Sequence, residues 1–474
     1  MSGSALSRMT AIARDEHRYA RVETGTGSLG YDRIVIDYTL PLDDLPDPLP
    51  IEPLRKPFDV TITPPGSKSI TCRAYVLAAL ADGESKIIRP LRADDTDKLL
   101  DALCTLGAEA RWDGEDVYIK GVNGRFPRGG EVNLGDGGAP TRFMIACACL
   151  AAEPVVVDGS KRMRERPIAE GVDMLRKLGA TIEYVQEEGR LPVRMVPSAE
   201  FRGGKLEIGA TRSSQFISAV LLIAPGTSEG VQFRSTAKWI SSSYVELTRG
   251  VLKLWYIRTT RRWRTITVRS QPIPAIPYRV EADASSAAYW TIAAAINAQS
   301  RIEIRGIAPD SKQPDIELLD ALDDLGVIVN GDESGIVVKG PGGLRSKEND
   351  RDDFDMQLMP DASIAFAVCA SRQAYSIHLT GLHTLRHKET DRIAALANEL
   401  RRIGCTIETT DDSITIDPST RHNDPVVIET YNDHRMAMAF GVLGLARPGI
   451  SISNPACVSK SYPTFWRDFA KLYQ

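Results

Sequence analysis

The sequence predicts an α/β protein of two domains, each built from three repeats of one unit, with helices buried inside sheet walls. Three observations carry this. One phrase recurs: an amphipathic helix ending in Leu-Gly-Ala or a near variant, then at once a short β-branched strand. Clear copies occupy residues 99–108, 174–182, 318–328 and 396–407. The glycines that end them sit at 107, 179, 326 and 404. The interval is about 70 to 78 residues once a degenerate copy at 251–260 is counted. Finally, three other helical runs, 287–298, 362–370 and 436–445, are small and apolar nearly all round, which suits a core and not a surface.

Each part of the unit has a local reason. Glycine just past a helix takes the left-handed conformation that ends it. A sixth copy, 465–473, lies near the end of the chain, and six units make two domains of three. A chain of 474 residues exceeds one ordinary core, which agrees with two domains.

Composition narrows the function. Hydrophobic residues make up 43% and charged residues 25% of the chain, as in soluble globular proteins. A net charge of −4 and a pI near 6.0 argue against a general nucleic-acid or membrane binder. The seven cysteines, at 72, 104, 147, 149, 369, 405 and 457, are scattered and form no Cys-x-x-Cys. They read as free thiols in a reducing, cytoplasmic compartment. No histidine spacing beside a cysteine pair suggests a metal site. The most apolar run, 143–157, is too short for a membrane span and is broken by Glu153-Pro154. The first residues lack the apolar centre of a signal peptide. Residues 1–50 are polar, then proline-rich, and are expected to form a poorly ordered extension.

The chemistry is concentrated in short motifs. A strand-like run, 58–63, stops at Pro64-Pro65-Gly66, and Ser67-Lys68-Ser69-Ile70-Thr71-Cys72-Arg73 opens a helix. Backbone N–H groups, the helix dipole and the cations all favour an anion there. Ser69 and Arg73, four apart, share a helix face. The spacing is not that of a Walker A loop. Six further segments break the repeat with polar residues: Asp136-Gly137-Gly138-Ala139-Pro140-Thr141-Arg142; Arg162-Met163-Arg164-Glu165-Arg166-Pro167; Thr211-Arg212-Ser213-Ser214-Gln215-Phe216; Met359-Pro360-Asp361-Ala362-Ser363; His387-Lys388-Glu389-Thr390-Asp391-Arg392; and Tyr431-Asn432-Asp433-His434-Arg435-Met436. Another, Val458-Ser459-Lys460-Ser461-Tyr462-Pro463, lies near the end. Each sits where a strand or loop meets a helix, the usual place for ligand groups in α/β folds. Isolated cations at 68, 73, 162, 388, 392, 435 and 460, in a chain of net negative charge, point to a small polyanionic substrate bearing phosphate and carboxylate. Ser213, Ser214 and Gln215 offer donors to a second phosphate or a sugar-like ring. Asp361 and Glu389, set among cations and hydroxyls, are candidate acid–base groups.

Taken as a set, Pro-Gly-Ser-Lys-Ser, Ser-Ser-Gln-Phe, Pro-Asp-Ala, Lys-Glu-Thr-Asp-Arg and Tyr-Asn-Asp-His-Arg-Met-Ala-Met resemble the 5-enolpyruvylshikimate-3-phosphate synthase family. The resemblance runs from about Val60 to Phe469. It implies two domains of three βαβαββ-like units each, an inside-out α/β barrel of the enolpyruvyl transferase kind, with the active site in the cleft between them. Domain I would comprise residues 51–66 and 282–474, and domain II residues 67–281. The chain would cross near Gly66 and near Glu281-Ala282-Asp283.

The implied reaction joins shikimate-3-phosphate to phosphoenolpyruvate and releases phosphate, without metal or organic cofactor, in a monomer that engages no nucleic acid or membrane. The resemblance places shikimate-3-phosphate against Lys68, Ser69, Arg73, Ser213, Ser214, Gln215, Ser241, Asp361, Thr384 and Lys388. It places phosphoenolpyruvate against Lys68, Gly138, Arg162, Gln215, Arg392, Arg435 and Lys460. Lys68, Asp361 and Glu389 are the implied catalytic groups: Asp361 takes the hydroxyl proton and Glu389 handles the methylene proton. Arg166 is expected in a structural ion pair, Asp433 as a helix N-cap, and His434 beside the site.

The chain also departs from the family pattern. The loop at 136–142 usually begins close to Asn-Ala-Gly-Thr; here an amide has become Asp136 and a hydroxyl is lost at Ala139. Cys72 and Thr384 stand where asparagine is frequent, and residues 255–277 match poorly. Two other readings compete with this one. UDP-N-acetylglucosamine enolpyruvyl transferases share the fold but carry a catalytic cysteine, and none lies around Arg162 to Arg166. A non-catalytic paralogue that binds phosphorylated metabolites would need neither Asp361 nor Glu389.

Overall fold

The way the helices end sets the architecture. Helices Asp94–Thr105, Ala169–Lys177, Leu318–Asp324 and Arg392–Arg402 are each followed by one capping residue and then a glycine. Gly107, Gly179, Gly326 and Gly404 have φ of 122°, 95°, 79° and 93°, a region that strains residues with a Cβ. The degenerate copy solves the same problem without glycine. Tyr256, just past helix Ser242–Leu254, takes φ 57° itself, and its ring is 76% exposed.

The computed structural model describes residues 20–23, 33–209, 213–237, 242–341 and 351–474. Among them, five four-stranded sheets share one plan, a sixth of three strands keeps its parallel pair, and Ala20–Glu23 pairs with Arg33–Ile36 as a separate two-stranded sheet. In one unit, strands Gly130–Asn133 and Val155–Asp158 pair in parallel around helix Gly138–Ala148, and helix Ala169–Lys177 then leads into the hairpin Thr181–Tyr184 and Val193–Val196. That is βαβαββ. The unit built on Gly204–Ile208 and the one that pairs Arg351–Asp355 with Ser376–Thr380 follow the same order. The sheet of Val426–Ile428 and Ile450–Ile452 takes its third strand from Leu49–Pro50.

The first helix of each unit is the buried one. These are Lys68–Leu80, Gly138–Ala148, Ser214–Ile223, Ala284–Ile296, Ser363–Ala370 and His434–Ala446. The three all-apolar runs of the sequence fall in the last three, with boundaries shifted by a few residues. Sheets wrap their apolar sides, and the second helix of each unit is amphipathic. The fold is thus the two-domain inside-out α/β barrel.

Two separate cores result. One draws on residues from 38 to 62 and from 282 to 472; the other draws on residues 70 to 280. The two linking segments run side by side. Ser67 N donates to Glu281 O at 2.8 Å, and Asp283 N donates to Pro65 O at 2.9 Å. We assign the domain boundary to this pair of segments. A Cβ on Gly66 would lie 2.4 Å from Arg89 O, so only glycine lets this crossing pack so closely.

The expectation of a poorly ordered stretch up to residue 50 is corrected for residues 37–50. Tyr38, Leu45 and Leu49 are buried in the first core, and Leu49–Pro50 is a strand. The Tyr38 ring stacks on Tyr473 at 5.6 Å and meets the edge of Phe469 at 5.2 Å. Burying such a ring contributes on the order of 2 kcal/mol, enough to hold a proline-rich segment in place. Residues 1–19 and 24–32 lie outside the described residues.

Candidate active site

The N-terminal ends of the buried helices explain where the polar motifs go. Each such end leaves N–H groups unpaired and carries partial positive charge. A cavity of about 250 Å³ is lined at or just before five of them, by Lys68, Gly138, Ser214, Asp361 and Arg435. The segment before helix Arg392–Arg402 adds Thr384, Lys388 and Glu389. Both domains therefore face one space.

Most of the candidate residues meet there: Lys68, Ser69, Arg73, Gly138, Ser213, Ser214, Gln215, Asp361, Thr384, Lys388, Glu389, Arg392 and Arg435 all line the cavity. Ser213 Oγ caps its helix by accepting from Gln215 N at 3.3 Å. Ser241, Thr211 and Arg212 lie outside the described residues.

Arg162 stands at the rim beside the candidate residues of the other domain: its Nε and Nη2 donate to the carbonyls of Glu389 and Lys388 at 3.1 and 3.0 Å. The one-turn helix Lys161–Glu165 turns it toward the other domain's backbone. Arg166 lines the cavity itself, over Gly138. A Cβ on Gly138 would lie 2.7 Å from both Arg166 Nη atoms. The structural ion pair expected for Arg166 is absent: among the described residues no carboxylate comes within ion-pair reach of it. Lys460 also stands off the cavity wall. Its Nζ lies 3.2 Å from Glu389 Oε1 and donates to Asp136 O at 3.1 Å. The altered loop residue Asp136 turns its carboxylate to Ser160, whose Oγ donates to it.

The electrostatics divide the site. On the side of the second core, Arg73, Arg142 and Arg166 are buried without a carboxylate partner among the described residues. Arg73 donates to Thr248 Oγ1 and to Ser69 O, and burial pushes its guanidinium down to about 10. Arg142 donates to Gly138 O at 2.9 Å and lies over the Phe216 ring. Burial and the nearby Arg166 push it well below the usual arginine range. Buried positive charge without a partner is costly and marks a place for anions.

On the other side, cations and carboxylates interlock. Arg392 reaches Asp361 Oδ1 at 2.9 Å, Glu389 Oε2 at 2.9 Å and Asp433 Oδ2 at 2.7 Å. Arg435 Nη2 lies 3.2 Å from Asp361 Oδ2, and Lys388 Nζ lies 3.3 Å from Oδ1. Burial alone would raise the Asp361 carboxyl, but Arg435, Lys388 and Arg392 outweigh it and hold it well below the usual range. Burial likewise opposes ionised Glu389, and Lys460, Arg392, Arg166 and Lys68 reverse that. Burial lowers Lys388. Lys68 pairs with Asp95 at 3.1 Å. Burial disfavours its charge, but Asp95 and Glu389 raise it overall, so it stays an ammonium.

Asp433 caps its helix by accepting from Arg435 N at 2.9 Å, and it also clamps Arg392. His434 is buried beside them with neither ring nitrogen hydrogen-bonded. Burial, then Lys68 and Arg435, push it well below its ordinary value, so it is neutral. Thr384 Oγ1, Gln215 Oε1 and Arg166 Nε are buried at the cavity without a partner, as polar groups that expect a ligand are.

Sequence reasoning missed Asp95 and Tyr244. Asp95 is one of several acids in a helix's first turn, where the dipole alone accounts for them. Tyr244 OH donates to Asp361 Oδ2 at 3.0 Å across the cleft, and nothing in its local sequence marks it.

The family profile described as EPSP synthase (3-phosphoshikimate 1-carboxyvinyltransferase) matches residues 54–469. The chain belongs to the EPSP synthase family. It is 37% identical over 416 residues to the 3-phosphoshikimate 1-carboxyvinyltransferase of Methanoculleus marisnigri, covering 86% of this chain and 96% of that protein. It is 34% identical over 434 residues to the protein of the same name from Escherichia coli O17:K52:H18, covering 90% and 99%. Among solved structures it resembles EPSP synthase from Acinetobacter baumannii, with TM-score 0.72, 24% identity and coverage of 89% and 98%. It also resembles the enolpyruvyl transferase NikO from Streptomyces tendae, with TM-score 0.70, 15% identity and coverage of 89% and 96%. These two likenesses concern the fold. Within the EPSP synthase family, the two carboxylates Asp361 and Glu389 stand at the centre of this chain's cation cluster. No helix among the described residues is long and apolar enough to cross a membrane.

Proposed function

We propose that this chain is a 3-phosphoshikimate 1-carboxyvinyltransferase, transferring the enolpyruvyl group of phosphoenolpyruvate to the 5-hydroxyl of shikimate-3-phosphate. The observation that carries the reading is one cavity that holds two ionised carboxylates, Asp361 and Glu389, among cations from both domains. Two phosphates and two carboxylates repel each other, and only fixed cations can hold such a pair of substrates together.

Shikimate-3-phosphate lies against Ser69, Arg73, Ser213, Ser214, Gln215, Tyr244, Asp361, Thr384 and Lys388. Phosphoenolpyruvate lies against Lys68, Gly138, Arg162, Gln215, Arg166, Arg392 and Arg435, with Lys460 behind Glu389. The 5-hydroxyl oxygen bonds to C2 of phosphoenolpyruvate and its proton passes to Asp361, which must be ionised. A proton from Glu389 bonds to the methylene carbon with the electron pair of the double bond. In the second step a methyl proton returns to Glu389, the double bond re-forms, and the C–O bond to phosphate breaks with its electron pair. Lys68, kept charged by Asp95, steadies the departing phosphate.

Glu389 must carry a proton for the first step. The protein's own cations hold it ionised. Anions of phosphoenolpyruvate counter Lys460, Arg392 and Arg166 and raise its affinity for that proton. Positioning and preorganised charge supply most of the rate. We further propose a monomer, and a reducing, cytoplasmic compartment, the latter supported by the seven free cysteines.

The test is phosphate release. It should require both shikimate-3-phosphate and phosphoenolpyruvate. Equal release with UDP-N-acetylglucosamine as acceptor, or none with either acceptor, would overturn the reading.

A further inference from the structure

Lys460 and its neighbour bridge the domains. Ser459 Oγ donates to Asp94 Oδ2 at 2.8 Å, and Lys460 Nζ touches both Glu389 Oε1 and Asp136 O. Both residues sit on the short turn Pro455–Lys460. The turn packs on helix His434–Ala446 and also meets Leu42–Asp44, so both share in setting its position.

A second segment that meets it is residues 37–50, which precede the matched family region. Two routes lead from one to the other. Asp47 Oδ1 accepts from the backbone N–H of Asn454 at 2.9 Å. Asn454 holds the left-handed φ of 45° that starts the turn. Tyr38 stacks beside Trp466 at 6.5 Å, and Trp466 Nε1 donates to Pro455 O at 3.0 Å, the first carbonyl of the same turn. The arm is itself anchored. Tyr38 OH accepts from Glu52 N at 2.9 Å and donates to Pro50 O at 3.1 Å, and Leu49–Pro50 extends the sheet next to Ile450–Ile452.

We propose that residues 37–50 are a positioning arm that seats the Pro455–Lys460 turn, and so holds Lys460 against Glu389 and the Asp136 loop for the reaction proposed above. The arm touches none of the reacting atoms. It acts through Lys460, and its loss shows as weaker use of phosphoenolpyruvate. The proposal rests on the enolpyruvyl transfer reading for its kinetic part only.

The experiment is a double-mutant cycle with a structural readout. Asp47 lies on the surface, so Asp47→Ala leaves the core intact. Kinetics are measured for wild type, Asp47→Ala, Lys460→Ala and the double variant, with Asp43→Ala, an exposed change on the same arm, as control. Asp47→Ala is expected to lower kcat/KM for phosphoenolpyruvate about fivefold, chiefly through KM, the weight of one hydrogen bond. In the Lys460→Ala background the same change is expected to cost less than about twofold. Tyr38→Ala should behave alike. Asp43→Ala should change nothing. Amide exchange at Asn454, Cys457 and Tyr462 should quicken in Asp47→Ala and Tyr38→Ala but not across Lys68–Leu80. Equal losses in both backgrounds, or unchanged exchange in the 454–462 segment, would overturn the arm. A wild-type protein that releases no phosphate would overturn the transferase reading instead, and the exchange comparison would still decide the arm.

Discussion

Arg392 and Asp433 form a two-pronged ion pair, Nε to Oδ2 at 2.7 Å and Nη2 to Oδ1 at 3.2 Å, with side chains only 1% and 0% exposed. The clamp fixes the plane of the guanidinium, so that Nη1 meets Asp361 and Nη2 also meets Glu389. One arginine thereby holds both candidate acid–base groups in register.

Arg392→Met would leave three buried carboxylates short of a counter-charge. Breaking a buried pair on one side typically costs about 3–5 kcal/mol. Urea unfolding should show a loss of that order. The double variant Arg392→Met with Asp433→Asn should be less destabilised than the sum of the single changes. Additive losses would show that the clamp is not a unit.

Asp361→Asn should lower turnover about 10²- to 10⁴-fold, the usual weight of a general base, while shikimate-3-phosphate binding changes by only a few-fold. Steady-state kinetics and a binding titration separate the two. Intact turnover with lost affinity would assign Asp361 to binding alone.

Gly138→Ala should leave stability nearly unchanged and weaken anion binding. The added Cβ would fall 2.7 Å from the Arg166 guanidinium, the free end of a flexible side chain that can move. The expected outcome is a raised KM for phosphoenolpyruvate with little change in melting temperature. An unchanged KM would show that Arg166 does not depend on the glycine.

Asp315 gives a pH prediction. It accepts from Ala362 N at 3.3 Å. Burial and the neighbouring Asp361 push its carboxyl up to about 6. A raised folded value means that its favourable contribution is complete below the unfolded value near 4 and is lost as pH rises through about 6. Wild type therefore bears a cost at neutral pH that Asp315→Asn escapes. The stability of the variant relative to wild type should rise between about pH 4 and about pH 8, by about 3 kcal/mol at most. A flat difference across that range would show that Asp315 titrates normally.

Much of this was legible in the sequence, for physical reasons. The repeated glycine could be read because a helix that turns straight into a strand needs a positive φ. The polar motifs could be read because they interrupt helices that are otherwise apolar all round. The arginine run could not be resolved. Arg162, Arg164 and Arg166 alternate along five residues, and only the one-turn helix Lys161–Glu165 decides that Arg162 caps carbonyls while Arg166 enters the cavity. The arm at 37–50 looked disordered because its partners, Trp466, Phe469 and Tyr473, lie at the far end of the chain. Tyr244 was missed because its meaning lies in a contact across the cleft.

In the proposed reaction Glu389 gives a proton to the methylene carbon before phosphate leaves. The most direct measurement is mass spectrometry of the product formed in D₂O from shikimate-3-phosphate and phosphoenolpyruvate. Solvent deuterium is expected in the enolpyruvyl methylene group with wild type, and neither product nor exchange at a comparable rate with Glu389→Gln. A product formed at full rate without deuterium would mean that the methylene carbon never passes through a methyl stage, and would rule out proton transfer from Glu389.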